Sequence, residues 1–328
     1  MSKSIIRPPA GLRDLLAMLT YRRVGGSTAE AAFRERFLLP LGAKADRWGN
    51  LWLTVGQGSP ILWSSHTDTV HRTAGKQLVL WGAGIASLAP DQPALECLGA
   101  DCAAGAWLMR EMVQASVPGT YVWHAEEEMG GVGSGAVADL SPDRLKGIDY
   151  AIALDRRGHR DIIVRQAGGQ CASAAFAASV GAILAGAGLP GYEASDRGTF
   201  TDTANYTGLV RECTNLSVGY MAEHSKHETL DTDHIQRLRD ALCRADWSKL
   251  ALARTIPLTP DPTLNPAGFD REIDREFSLD RHISPNPAVS AAWVRRYSED
   301  VAAFLADRGY GEDDILEGAY AASRDNFR

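Results

Sequence analysis

The chain is poor in cysteine. Its five, Cys97, Cys102, Cys171, Cys213 and Cys243, are scattered over 328 positions, odd in number and without a Cys-x-x-Cys pair. That excludes a disulfide framework and a thiolate zinc site, and it suits a reducing compartment. An excess of basic charge is missing too: 41 acidic against 34 basic residues leave a formal charge of -7. Non-specific binding to a phosphate backbone needs a net basic face, so no nucleic-acid partner is expected. Long runs of large apolar residues are absent. The uncharged stretch 171–192 is built of Ala, Gly and Ser, and reads as a buried or tightly packed helix rather than a membrane span. Arg7, Pro8 and Pro9 cut off an apolar signal region, so a cytoplasmic protein with no membrane partner is expected. Repeats and low-complexity tracts are missing as well.

What remains is the balance of a soluble globular protein, with 45% hydrophobic and 23% charged residues. A chain of this length can bury about 75% of its unfolded surface without staples. Capping and hydrophobic period predict helices over 11–21, 28–39, 103–114, 134–140, 170–187 and 231–246. Apolar runs predict strands over 51–55, 61–65, 77–81, 121–124, 150–154 and 214–220. Strands alternating with helices argue for an α/β fold with a mixed, largely parallel central sheet. The texture changes near residue 255, where prolines punctuate a charged stretch followed by helix-like segments at 289–305 and 313–322. Residues 1–250 are therefore expected to form one domain. Residues 251–328 are expected to form an extension that packs on it or joins an oligomer contact.

In parallel sheets, ligands sit beyond the carboxyl ends of the strands. The apolar runs here end in His or carboxylate. Residues 61–65 lead to His66 and Asp68, 95–98 to Asp101, and 121–124 to Glu126, Glu127 and Glu128. Residues 150–154 lead to Asp155, and 215–220 toward His224, His227 and Glu228. So many carboxylates on one edge would have to hold protons unless cations were present. Two divalent metals resolve the problem, and mixed imidazole and carboxylate donors favour Zn²⁺, Co²⁺ or Mn²⁺.

The ordered set His-x-Asp, Gly-x-Asp, Glu-Glu-x-Gly, Asp and His resembles the co-catalytic dizinc peptidases, the M28, M42 and M20 peptidase-like hydrolases. Asp46-Arg47-Trp48-Gly49-Asn50 is similar to the strand-turn these enzymes carry before the first ligand, and residues 198–202, ending in Asp202, to their late Gly-Thr-Asp turn. The resemblance spans about residues 10–245. It implies a three-layer zinc aminopeptidase fold with helices on both faces of the sheet. It also implies two metal ions, most readily Zn²⁺, bound by His66, Asp101, Glu128, Asp155 and His224, with Asp101 bridging. Asp68 would orient His66, and Glu127 would be the general base, with Glu126 and His227 as one-step alternatives. Cys102 stands where the family often has a second Asp, and most simply fills the spot.

About 35 residues separate His66 from Asp101, and about 70 separate Asp155 from His224. Both intervals are too short for the M42 insertion and the M20 lid, which points to a compact M28-like domain. The implied activity is hydrolysis of a peptide or amide bond by a hydroxide held between the metals. The substrate would be a small peptide or amide, and the protein a homo-oligomer in one version. An N-acyl-amino-acid amidohydrolase or carboxypeptidase is the alternative. Two further options stand beside it. A non-catalytic binding protein keeps the fold alone. A dinucleotide oxidoreductase would use Gly131, Gly133 and Ala136 with Asp155, but would set three glutamates against a pyrophosphate.

Overall fold

The computed structural model describes residues 10–90 and 96–256. The helix-like segments expected at 289–305 and 313–322, and nearly all of the expected C-terminal extension, lie outside the described residues, as does Leu95.

Eight strands build the central sheet: β1 (Lys44–Ala45), β2 (Leu51–Val55), β3 (Ile61–His66), β4 (Gly119–His124), β5 (Tyr150–Arg156), β6 (Asp161–Ile163), β7 (Glu193–Ser195) and β8 (Glu212–Ser217). Their order is β7-β6-β8-β5-β3-β4-β2-β1. The middle four, β8, β5, β3 and β4, are mutually parallel. Antiparallel pairings at β6–β8, β4–β2 and β2–β1 make the sheet mixed. His66 pairs with His124, and Ser64 with Ala153, so the carboxyl ends of β3, β4 and β5 lie side by side.

β3, β5 and β8 are buried at every position. A strand buried throughout is covered on both faces, which is why these segments read as continuous apolar runs. Helix α3 (Ala100–Gln114) packs on β3 and β5, with α1 (Arg13–Leu19) and α6 (Thr232–Arg244) behind it. The 3-10 turn Asp202–Tyr206, backed by α4 (Val132–Leu140), covers the same strands from the other face. Helix α2 (Thr28–Phe37) starts at Ser27, whose hydroxyl accepts from Glu30 N, and buries Phe33 and Phe37 against Tyr21.

Gly105 lets α3 lie directly on β5. A Cβ there would stand 2.0 Å from the Leu154 carbonyl oxygen and 2.6 Å from Cys102 Sγ. Backbone cannot yield as a flexible side chain can. Gly105→Ala is therefore expected to destabilise the fold by about 1–3 kcal/mol through overpacking. Chemical denaturation checks this; an unchanged midpoint would show that α3 shifts freely.

Several expectations need correction. Residues 96–98 form no strand, so the segment before Gly99 is an extended connection and Asp101 sits at the start of α3. The run expected over 77–81 appears as Val79–Gly82, in a separate four-stranded sheet with Ile85–Leu88, Tyr220–Met221 and Thr229–Asp231. The run 214–220 breaks after Ser217, with Gly219 at φ +102. The uncharged helix α5 (Ala174–Gly186) is only half buried. Phe176, Ala177, Val180, Ile183 and Leu184 face inward, while Ala174, Ala175, Ala178, Ala182 and Ala185 are exposed. Alanine holds helix well in either setting.

Candidate metal centre

His66 ends β3 and is 1% exposed. Its Nε2 lies 3.0 Å from Asp101 Oδ1 and 3.3 Å from Asp155 Oδ1, while Nδ1 lies 3.3 Å from Asp68 Oδ1. Asp101 presents its other oxygen, Oδ2, 3.2 Å from His224 Nε2, and that nitrogen is 3.2 Å from Glu128 Oε1. One carboxylate thus stands between two imidazoles, each with its own further acid. Glu127 Oε2 approaches His66 Nε2 at 4.0 Å. The peptide bond between Asp101 and Cys102 is cis.

Local structure sets each position. Asp68 accepts hydrogen bonds from the backbone N–H groups of Glu127 and Glu128, both at 3.1 Å, so the residue beside His66 also fixes the glutamate turn. Asn50 holds that turn from below: its Oδ1 accepts from Ala125 N and its Nδ2 donates to Gly133 O. Asp46 closes the preceding turn by accepting from Trp48 N and Asn50 N. Thr201 donates to Asp155 Oδ2 at 2.8 Å, and the Tyr220 hydroxyl donates to the Asp155 carbonyl at 2.8 Å. His224 sits at φ +60 in the loop between Tyr220–Met221 and Thr229–Asp231.

A cavity of about 240 Å³ opens over this cluster. Asp101, Glu127, Glu128, Asp155 and His224 line it, with Phe200 and Ile163 among the apolar wall. His66 and Asp68 lie beneath. Glu126 does not line it; its Cγ packs beside Gly25. His227 belongs to none of the metal-binding groups found among the described residues.

Six carboxylates, Asp68, Asp101, Glu127, Glu128, Asp155 and Asp202, meet only two imidazoles. The charge imbalance perturbs several of these acids. Burial pushes Glu127 well above the carboxylate range; His66 opposes it and Asp155, Asp202 and Glu128 add to it. Burial and Asp101 raise Glu128 to about 7. Burial raises Asp202 well above the usual range against His66 and Ser134. Asp101 is the exception: although burial raises it, hydrogen bonds from His224 and His66 hold it well below. Those bonds to Asp101 and Glu128 lift His224 to about 11. Protonated imidazoles offset only part of this negative charge.

The donor set fits two divalent ions. His66 and Asp155 with one Asp101 oxygen form one group of imidazole and carboxylate donors, and Glu128 and His224 with the other oxygen form a second. Three overlapping sets have donor atoms within 4.8 Å of one another: His66, Cys102 and Asp155; His66, Glu127 and Glu128; and Asp101, Glu128 and His224. Cys102 Sγ donates to the Leu154 carbonyl at 3.2 Å, and burial raises its thiol well above the ordinary value.

The glycines of the dinucleotide-like turn are packed against protein. A Cβ at Gly131 would meet Phe200 and Asn205, and one at Gly133 would meet Asn50 and the Ala125 carbonyl. Arg156 pairs with Asp161, and Arg157 with Glu223. His124 is held neutral between Asn50 and Tyr206, its pKa lowered by burial to about 3.

Two residues escaped the sequence reading as site components. Thr201 was visible only as part of a turn. Glu228 closed the string beginning at His224, but nothing marked it as buried.

No family profile and no curated protein matches the chain. Solved structures do. The chain resembles an aminopeptidase PepT from Bacillus cereus with a TM-score of 0.59 at 15% identity, over 71% of this chain and 96% of that one. A tripeptidase from Staphylococcus aureus gives 0.58 at 15% identity, over 73% and 98%. The TET1 peptidase of Pyrococcus horikoshii, which assembles into a tetrahedron or a large octahedral shell, gives 0.52 at 17% identity, over 71% and 99%. The likeness establishes the fold: the chain has the mixed α/β architecture of these peptidases.

Proposed function

We propose that this chain is a metal-dependent hydrolase of peptide or amide bonds, acting as an aminopeptidase of the compact M28-like kind. The observation that carries it is Asp101, with one carboxylate oxygen toward each of two imidazole-carboxylate pairs. The fold, shared with aminopeptidases, supports it.

His66, Asp155 and Asp101 would hold one ion, and Glu128, His224 and Asp101 the other. Two divalent cations there, most readily zinc, would supply Lewis acidity toward a carbonyl oxygen and a water of lowered pKa. Asp68 orients the His66 ring from Nδ1 and pins the turn that aims Glu127. Glu127, on the cavity wall, takes the proton of the attacking water at its carboxylate and returns it to the leaving nitrogen. Phe200 and Ile163 give the substrate an apolar wall. Among the described residues no helix is long and apolar enough to cross a membrane. A homo-oligomer, as in the tetrahedral TET1 peptidase, is part of the same proposal.

The test is metal analysis followed by a substrate screen. Purified protein is expected to bind about two equivalents of zinc or cobalt. It should hydrolyse aminoacyl-anilides, lose that activity on dialysis against a chelator, and regain it with added cation. Turnover of N-acyl amino acids instead would replace the aminopeptidase with an amidohydrolase. No metal uptake at all would end the proposal.

A further inference from the structure

Arg23 and Glu228, a base and an acid, are fully buried, and neither has a part in the ligand set above. Glu228 lies four residues after His224 in the same loop. Its Oε2 accepts from Gly99 N at 2.9 Å, and its Oε1 from Asp101 N at 3.0 Å. Arg23 works on the other side of Gly99. Its Nη2 donates to the Gly99 carbonyl at 2.9 Å, and its Nε donates to the carbonyl of Thr67, between His66 and Asp68, at 2.9 Å. Thr69 N returns a hydrogen bond to the Arg23 carbonyl at 2.8 Å, and the guanidinium lies 4.7 Å from the Phe33 ring centroid. Gly99 is thus gripped at both its N–H and its C=O. It sits at φ +71, and a Cβ there would come 2.9 Å from His71 Cε1.

Burying a guanidinium and a carboxylate is costly, and backbone atoms alone would not require charged partners. What this pair achieves is a fixed spacing. Three segments, the end of β3 with His66 and Asp68, the start of α3 with Asp101, and the loop of His224, are tied together through two side chains whose hydrogen bonds here go to backbone atoms. A planar guanidinium can hold two carbonyls at once, which an ammonium does poorly.

We infer that Arg23 and Glu228 are positioning residues that hold the His66, Asp101 and His224 segments in register for the two cations. This rests on the dimetal reading above.

The test uses full-length wild type, Arg23→Lys and Glu228→Gln, each stripped of metal and titrated with Co²⁺ while calorimetry and visible absorption are followed. Arg23→Lys keeps the charge and loses the fork; Glu228→Gln keeps the shape and loses one acceptor. Both variants are expected to melt cooperatively without metal. They should bind cobalt about 10- to 100-fold more weakly, the usual cost of losing a supporting partner. The cobalt absorption bands should be altered, and kcat should fall with KM little changed. Folded variants with wild-type cobalt affinity and spectrum would overturn the inference. So would loss of the metal-free fold in both, which would make the pair structural. A wild type that takes up no cobalt defeats the dimetal reading itself, and is told apart from these outcomes by the first titration.

Discussion

Asp101→Ala is expected to abolish binding of both cations, not one. Asp101 is the shared member of the two donor groups, with Oδ1 3.0 Å from His66 Nε2 and Oδ2 3.2 Å from His224 Nε2. Without it, His66 keeps Asp155 and His224 keeps Glu128, and two donors on either side hold a divalent ion poorly. Burial raises the pKa of the neighbouring acids Glu127, Glu128 and Asp155 alike, so the donors left behind are protonated more readily than exposed carboxylates. Affinity should fall by more than about 100-fold, beyond the range for a supporting partner. Metal analysis after gel filtration should find about two equivalents on wild type and almost none on the variant. Zinc at 100 times its dissociation constant should stabilise wild type by about 2.7 kcal/mol for each ion bound, through linkage, and leave the variant's melt unmoved. A variant that retains two ions would remove Asp101 from the centre.

The two strand-borne residues, His66 and Asp155, were legible because a parallel sheet brings the carboxyl ends of its strands together whatever the loops do. Their run-to-charge boundary is visible in sequence. Asp101 was read at the end of an apolar run, but that run misled: residues 96–98 form no strand, and α3 carries the carboxylate instead. Short strands such as Lys44–Ala45 and Asp161–Ile163 are set by pairing with neighbours, and two or three residues hold no period to read. Arg23 was invisible for another reason. It stands beside Arg22 as an ordinary basic residue, and the carbonyls it grips leave no mark on side-chain identity. Glu228 stands four residues after His224 in sequence, yet its partners are the backbone N–H groups of residues 127 to 129 positions away. Donors that face a cavity follow patterns that chemistry imposes; the groups that aim them need only be buried and polar.

Glu127→Ala is expected to remove turnover while leaving the metals in place. Glu127 and Glu128 are adjacent, and their surroundings differ. Glu128 Oε1 lies 3.2 Å from His224 Nε2, within the second donor group. Glu127 reaches His66 Nε2 only at 4.0 Å and lines the cavity. Its backbone N–H is fixed by Asp68, so truncating the side chain leaves the turn intact. The loss should fall on kcat by about 10²–10⁴-fold, the range for a positioned acid-base group, with KM nearly unchanged. Glu127→Gln should lose as much, since an amide keeps the shape and cannot carry the proton. Glu128→Ala should instead lower metal content as well as rate. The decisive comparison is therefore metal stoichiometry set beside kcat in the two glutamate variants. If Glu127→Ala keeps full activity, or if it empties the site as Glu128→Ala does, Glu127 is not the base.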